Sequence, residues 1–109
     1  MAITLRVLGQ VFPSATVETT LYTCATTSAV ISSLVICNTS ASTPDTFTVR
    51  VCVAGAVDDN KQLIFDNATI PAGTMLPVTI GITLASTDVI KVTSTNGTCA
   101  FNLFGQENS

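Results

Sequence analysis

Four cysteines, seven carboxylates and no histidine set the chemistry open to this 109-residue chain. Cys24, Cys37, Cys52 and Cys99 are 13, 15 and 47 positions apart, so there is no C-x-x-C pair and no Cys/His spacing of the kind that holds zinc. In the run 46–54, Phe47, Val49, Val51 and Val53 fall on one side of a strand, and Thr48, Arg50 and Cys52 on the other. An outward thiol beside a guanidinium gains thiolate character. Cys52 is therefore the expected disulfide-former, within the chain or between chains. Cys24 and Cys37 are its open alternatives as partners; their facing is ambiguous and no pairing follows from spacing. Cys99 reads as a small buried residue next to Phe101.

The carboxylates are Glu18, Asp45, Asp58, Asp59, Asp66, Asp88 and Glu107. Only Asp58-Asp59-Asn60 clusters, and it lacks the spaced D-x-[DN]-x-[DN]-G ligand set that calcium requires. A solvated turn is expected there. Without histidine the chain has no side chain that ordinarily titrates near neutral pH and lacks the commonest metal ligand. No catalytic residue, metal site or cofactor motif emerges, and the chain reads as not an enzyme.

Composition narrows the partners. Four basic residues and a net charge of −3 are too few cations for a phosphate-binding footprint, which argues against nucleic acid. No run of 18 apolar residues is present, so no membrane span is expected. The first ten residues lack the basic and apolar regions of a secretory signal peptide. Charged residues make up 10% of the chain, against about 25% in ordinary domains. Their place is taken by 19 Thr and 9 Ser.

The elements that must position these groups are strands. Val, Ile and Thr together supply 39 β-branched residues, which suit a pleated sheet. Runs at 3–8, 15–23, 29–38, 46–54, 61–70, 74–83, 89–94 and 98–104 alternate with turn clusters such as Pro44-Asp45, Pro71-Ala72-Gly73 and Asn96-Gly97. This cadence predicts an all-β chain: one antiparallel β-sandwich of about eight strands, jelly-roll-like. Residues 1–14 form an N-terminal strand or arm, and residues 15–109 the sandwich, within a single domain. Asn96-Gly97 predicts a two-residue hairpin that pairs Ser94 with Cys99, Val92 with Phe101 and Ile90 with Leu103 on one inward face.

Three N-x-[ST] sequons begin at Asn38, Asn67 and Asn96, about what so hydroxyl-rich a chain gives by chance. One Tyr and no Trp leave little for stacking on sugars. A surface of Thr, Ser, Asn and Ala is cheap to desolvate and low in side-chain entropy, which suits packing against neighbours in an assembly.

Several stretches carry a family likeness: Thr20-Leu21-Tyr22-Thr23, residues 28–38, and residues 46–51 with Ala54-Gly55-Ala56. To these add Asn60-Lys61-Gln62, Gly81-Ile82-Thr83-Leu84, Thr87-Asp88-Val89-Ile90 and residues 101–105. Over residues 17–107 the chain resembles small β-sandwich structural proteins of tailed bacteriophage virions. The resemblance implies a non-enzymatic virion component made in the host cytoplasm, most simply a capsid decoration or cement protein. Its partners would be the major capsid protein or other virion proteins. A homotrimer is expected, with no nucleic acid, membrane or cofactor. A tail, baseplate or fibre-associated module, or a carbohydrate- or receptor-binding sandwich on the virion, is the alternative. Ile3, Leu5 and Val7 of the first strand are the expected assembly arm, reaching a neighbour by strand addition. Cys24-Ala25 departs from the apolar-Pro pair expected there, and Cys52 from an aliphatic residue or Ala. Extra cysteines imply covalent locking between subunits once the particle meets an oxidising medium.

Overall fold

The alternation around Phe47 sets the core. Phe47 and Val49 are fully buried while Thr46, Thr48 and Arg50 between them are not. A computed structural model describes residues 2–109 and resolves nine strands. These are β1 (Ile3–Val11), β2 (Thr19–Thr23), β3 (Ser28–Asn38), β4 (Asp45–Cys52), β5 (Leu63–Ile70), β6 (Met75–Val78), β7 (Ile82–Ala85), β8 (Val89–Ser94) and β9 (Cys99–Asn108). One sheet runs β1-β9-β3-β6, with β7 also paired to β3, and the other runs β2-β8-β4-β5. Every pairing is antiparallel. This interleaved order is that of a jelly roll, in which two Greek keys close a sandwich.

β6 and β7 lie end to end along one edge of β3, against Leu34–Cys37 and Ser28–Ile31 respectively. The run 74–83 is thus one sandwich strand broken in two. Ile82 N–H closes back on the Ile80 carbonyl (3.0 Å), a turn too tight to continue the ladder. Pro77 sits on this edge strand, where its missing N–H costs little.

The inward residues of the two sheets meet in a core of Ile31, Leu34, Ile36, Leu84, Ile90, Val92 and Leu103. Phe47 of the β4 sheet meets Phe101 of the β9 sheet edge-on, with centroids 6.2 Å apart, and Phe65 at 5.2 Å. These tilted arrangements are the ones aromatic quadrupoles favour.

The hairpin expected at Asn96-Gly97 does not form. β8 pairs with β2 and β4, whereas β9 pairs with β1 and β3. Ser94, Val92 and Ile90, like Cys99, Phe101 and Leu103, do point inward, but from opposite sheets. Matching inward patterns cannot distinguish strands paired edge to edge from strands opposed face to face. Gly97 takes a left-handed φ of 74°, so the turn chemistry is used, in a connection that crosses between sheets.

Asp45 ties that crossing in place. It opens β4 in phase with Phe47 and is 2% exposed. Its Oδ1 accepts the N–H groups of Thr46 (2.7 Å) and Asn96 (2.8 Å). Its Oδ2 accepts the Ser94 hydroxyl (2.5 Å), the Thr98 hydroxyl (3.0 Å) and N–H (3.3 Å), and the Cys99 thiol (3.3 Å). Asn38 extends the corner: its amide donates to the carbonyls of Thr43 and Ile70, and its Oδ1 accepts from Ser40 N–H and shares the Thr98 hydroxyl proton with Asp45.

Burial opposes ionisation of Asp45. The donors Ser94, Asn96, Thr46 and Cys99 outweigh it and hold the carboxyl well below the ordinary carboxylate range. A depressed native pKa adds stability that is complete above the unfolded value, about 4, and is lost as pH falls toward the native one. Asp45→Ala is expected to cost on the order of 3 kcal/mol in urea unfolding at neutral pH, since it orphans several buried donors. Asp45→Asn should remove part of the stability that the wild type loses below about pH 4.

Candidate functional site

Buried carboxylates lie at both ends of the sandwich. Opposite the Asp45 corner, Asp88 is 8% exposed and its carboxylate accepts the N–H groups of Ala54 and Ala85 (2.9 Å each). Around it Cys24 N–H donates to the Asp88 carbonyl and Thr87 N–H to the Cys24 carbonyl. Thr87, β-branched, is held there at a φ of 74°, a strained value that persists because its neighbours fix it.

Cys52 corrects the expectation of an exposed, reactive thiol. It lies beside Arg50 and Lys91 as the alternation places it, yet it is fully buried. Residues 53–62 fold over that face and Gln62 seals it. The Gln62 amide donates to the Val57 carbonyl, and its Oε1 accepts Asp59 N–H (3.0 Å) and the Cys52 thiol (3.4 Å). Burial pushes the Cys52 thiol up rather than down. Burial and the Asp45 carboxylate push Cys99 up to about 12. All four cysteines are free thiols: Cys24, Cys52 and Cys99 are buried and Cys37 is partly exposed. No disulfide joins the Cys52, Cys24 or Cys37 expected to form one.

Asp58, Asp59 and Asn60 are exposed, as a solvated turn requires, and Asp58 also joins an ion-pair network. Arg50 Nε lies 3.5 Å from Glu18 and 3.7 Å from Asp58, and Lys91 Nζ lies 3.7 and 3.3 Å from the same two carboxylates. Burial and the neighbouring Asp58 carboxyl push Glu18 up; its proximity to Glu18 and Lys91 holds Asp58 down. Solvent screening makes such pairs weak contributors to stability. Asp59 caps the 3₁₀ turn Asn60–Gln62. Among the described residues no three His, Cys, Asp or Glu side chains converge as metal ligands. No helix there is long and apolar enough to cross a membrane. Of the sequon asparagines, Asn38 is buried and engaged, while Asn67 and Asn96 are exposed.

The surface that stands out belongs to β1. The segment expected as an N-terminal strand or arm is the edge strand of the larger sheet, paired with β9 from Ile3↔Asn108 to Val11↔Phe101. β9 is ten residues long and reaches the full length of β1, so the arm docks on its own sheet. Ile3, Leu5 and Val7 are 63%, 77% and 47% exposed. Arg6 faces the other side and binds Glu107 (3.2 Å), which also accepts the Tyr22 hydroxyl (2.5 Å) from the second sheet. A bulge between Val7 and Gly9 resets the phase, so Leu8 turns into the core. Beside the stripe an open depression of about 290 Å³ is lined by Leu5, Val30, Ser32, Phe104 and Gln106, among others. The sequence named these three apolar residues; the bulge that leaves them outward has no sequence signal beyond Gly9.

No protein-family model matches the chain, and no curated protein matches it in sequence. Among solved structures, it is similar to a chain in the crystal structure of the T13 IBDV viral particle, with a TM-score of 0.52 and 11% identity. The fold is shared. The match covers 95% of this chain and 30% of that one, so the chain spans less than a third of the length of the protein it resembles.

The thiol placements are directly testable. In native buffer a maleimide should label Cys37 first, with Cys24, Cys52 and Cys99 protected until the protein is unfolded; rapid native labelling of Cys52 would show that the 53–62 cover is absent.

Proposed function

We propose that this chain is a non-enzymatic structural protein of a bacteriophage virion, most simply a capsid decoration or cement protein seated at junctions of the major capsid subunits. The jelly-roll topology is the observation that supports this reading most, since a chain of the IBDV viral particle has the same fold. The phage assignment draws on the sequence resemblance over residues 17–107.

The physical role is mechanical. Both ends of the sandwich are tied by buried carboxylates, so the module resists shear without a cofactor or disulfide. Its surface carries few charges, four of them gathered in the Glu18–Arg50–Asp58–Lys91 network. The remaining hydroxyl-rich surface loses little entropy and little hydration when it is covered. The reading as a non-enzyme rests on side-chain chemistry: a chain without histidine, whose buried carboxylates are fully engaged by donors, has no group poised for proton transfer near neutral pH.

Purified chain mixed with phage heads that lack it should bind saturably, in a fixed ratio to capsid subunits, and raise the temperature at which the heads release DNA. Binding to tails alone would move the protein to the tail or baseplate. Binding to neither, with retention on a glycan array, would replace the structural reading by a receptor-binding one.

A further inference from the structure

We infer that the free edge of β1 is a docking surface for β1 of a second copy of this chain, joined antiparallel about a twofold axis at Leu5. The inference stands on strand geometry and is independent of the virion reading.

Ala2 and Ser109 exchange both backbone hydrogen bonds (3.1 and 2.9 Å). Hydrogen-bonded and non-hydrogen-bonded pairs alternate along an antiparallel ladder. With Thr4 opposite Glu107 and Arg6 opposite Gly105, the groups of Ala2, Thr4 and Arg6 therefore point at β9. Those of Ile3, Leu5 and Val7 point away from it, to an edge that no other strand covers among the described residues. Three N–H and three C=O groups thus stand in a row beneath three exposed apolar side chains. Proteins ordinarily blunt such an edge with a proline, an outward lysine or a bulge. Residues 3–7 carry no proline, lysine or bulge; their one charge is Arg6, half-exposed and paired with Glu107, and a bulge follows between Val7 and Gly9.

The edge is self-complementary in one register. A twofold axis at Leu5 sets Leu5 opposite Leu5, Ile3 opposite Val7 and Thr4 opposite Arg6. All three outward-pointing residues then lie in hydrogen-bonded pairs, so the six edge groups of each copy are satisfied. Apolar side chains meet apolar ones on the outer face, and no like charges oppose each other. Moving the axis to Arg6 puts guanidinium against guanidinium in a close pair, which is destabilising. Moving it to Thr4 leaves Val7 beyond the partner's Ile3. The Leu5 register joins the two larger sheets into one continuous sheet and makes an isologous, closed pair.

Sedimentation of the full chain should show a dimer at micromolar concentration. Leu5→Pro removes a donor that faces the free edge and none that faces β9, so it should leave a folded monomer, with far-ultraviolet circular dichroism as the check on folding. Hydrogen-bonded antiparallel pairs hold their Cα atoms about 5.5 Å apart, within disulfide range. Leu5→Cys should therefore cross-link to itself under mild oxidation, and Thr4→Cys should not. A wild-type monomer at every concentration, a trimer, a dimer that survives Leu5→Pro, or equal cross-linking at positions 4 and 5 would each overturn the inference. The wild-type and Leu5→Cys results decide the matter if Leu5→Pro fails to fold.

Discussion

A carboxylate inside a protein with no cation beside it has to be solvated by dipoles, and the corner built around Asp45 is what that requirement produces. Six donors converge on two oxygens from β4, the last residue of β8, the β8–β9 connection and the first residue of β9. The charge thus dictates where the chain crosses from one sheet to the other. Once β8 and β9 are separated in this way, their apolar faces oppose one another, and Phe101 reaches Phe47. Asp88 repeats the device at the far end with fewer donors. The jelly roll is closed at both ends by anions buried among backbone N–H groups and hydroxyls.

That economy explains the low charge outside. Serine and threonine serve as donors at the corners and as strand-formers on the faces, so lysines and arginines are needed only locally. Arg50 and Lys91 gather Glu18 and Asp58 over the outer face of the smaller sheet, and the loop beneath them seals Cys52.

Much of the interior was legible in the sequence because side chains on a strand alternate. Phe47, Val49, Ile90, Val92, Ser94, Cys99, Phe101 and Leu103 all face inward as the pattern requires. Pairing was not legible, since alternation fixes a face and leaves the neighbour open; hence the hairpin read at Asn96-Gly97. Cys52 shows a related limit: the face was right, but a loop ten residues further on covers it. Asp45 went unrecognised as a core residue although it stands in phase with Phe47 and Val49. Its place after Pro44 has the look of a solvated turn, and only the converging donors, distant in sequence, make burial of its charge affordable. Glu18 and Asp58, 40 positions apart, meet through strand order alone.

Residue-resolved amide hydrogen exchange is the most direct measurement of whether the Asp45 carboxylate holds the sandwich together. The amides of Thr46, Asn96 and Thr98 lie at the edge of a turn, yet they should exchange as slowly as those of Ile36 and Val92 in the core, because opening them requires giving up the buried charge. Exchange at the rate of exposed turn amides such as Ala41, with the core still protected, would contradict that claim.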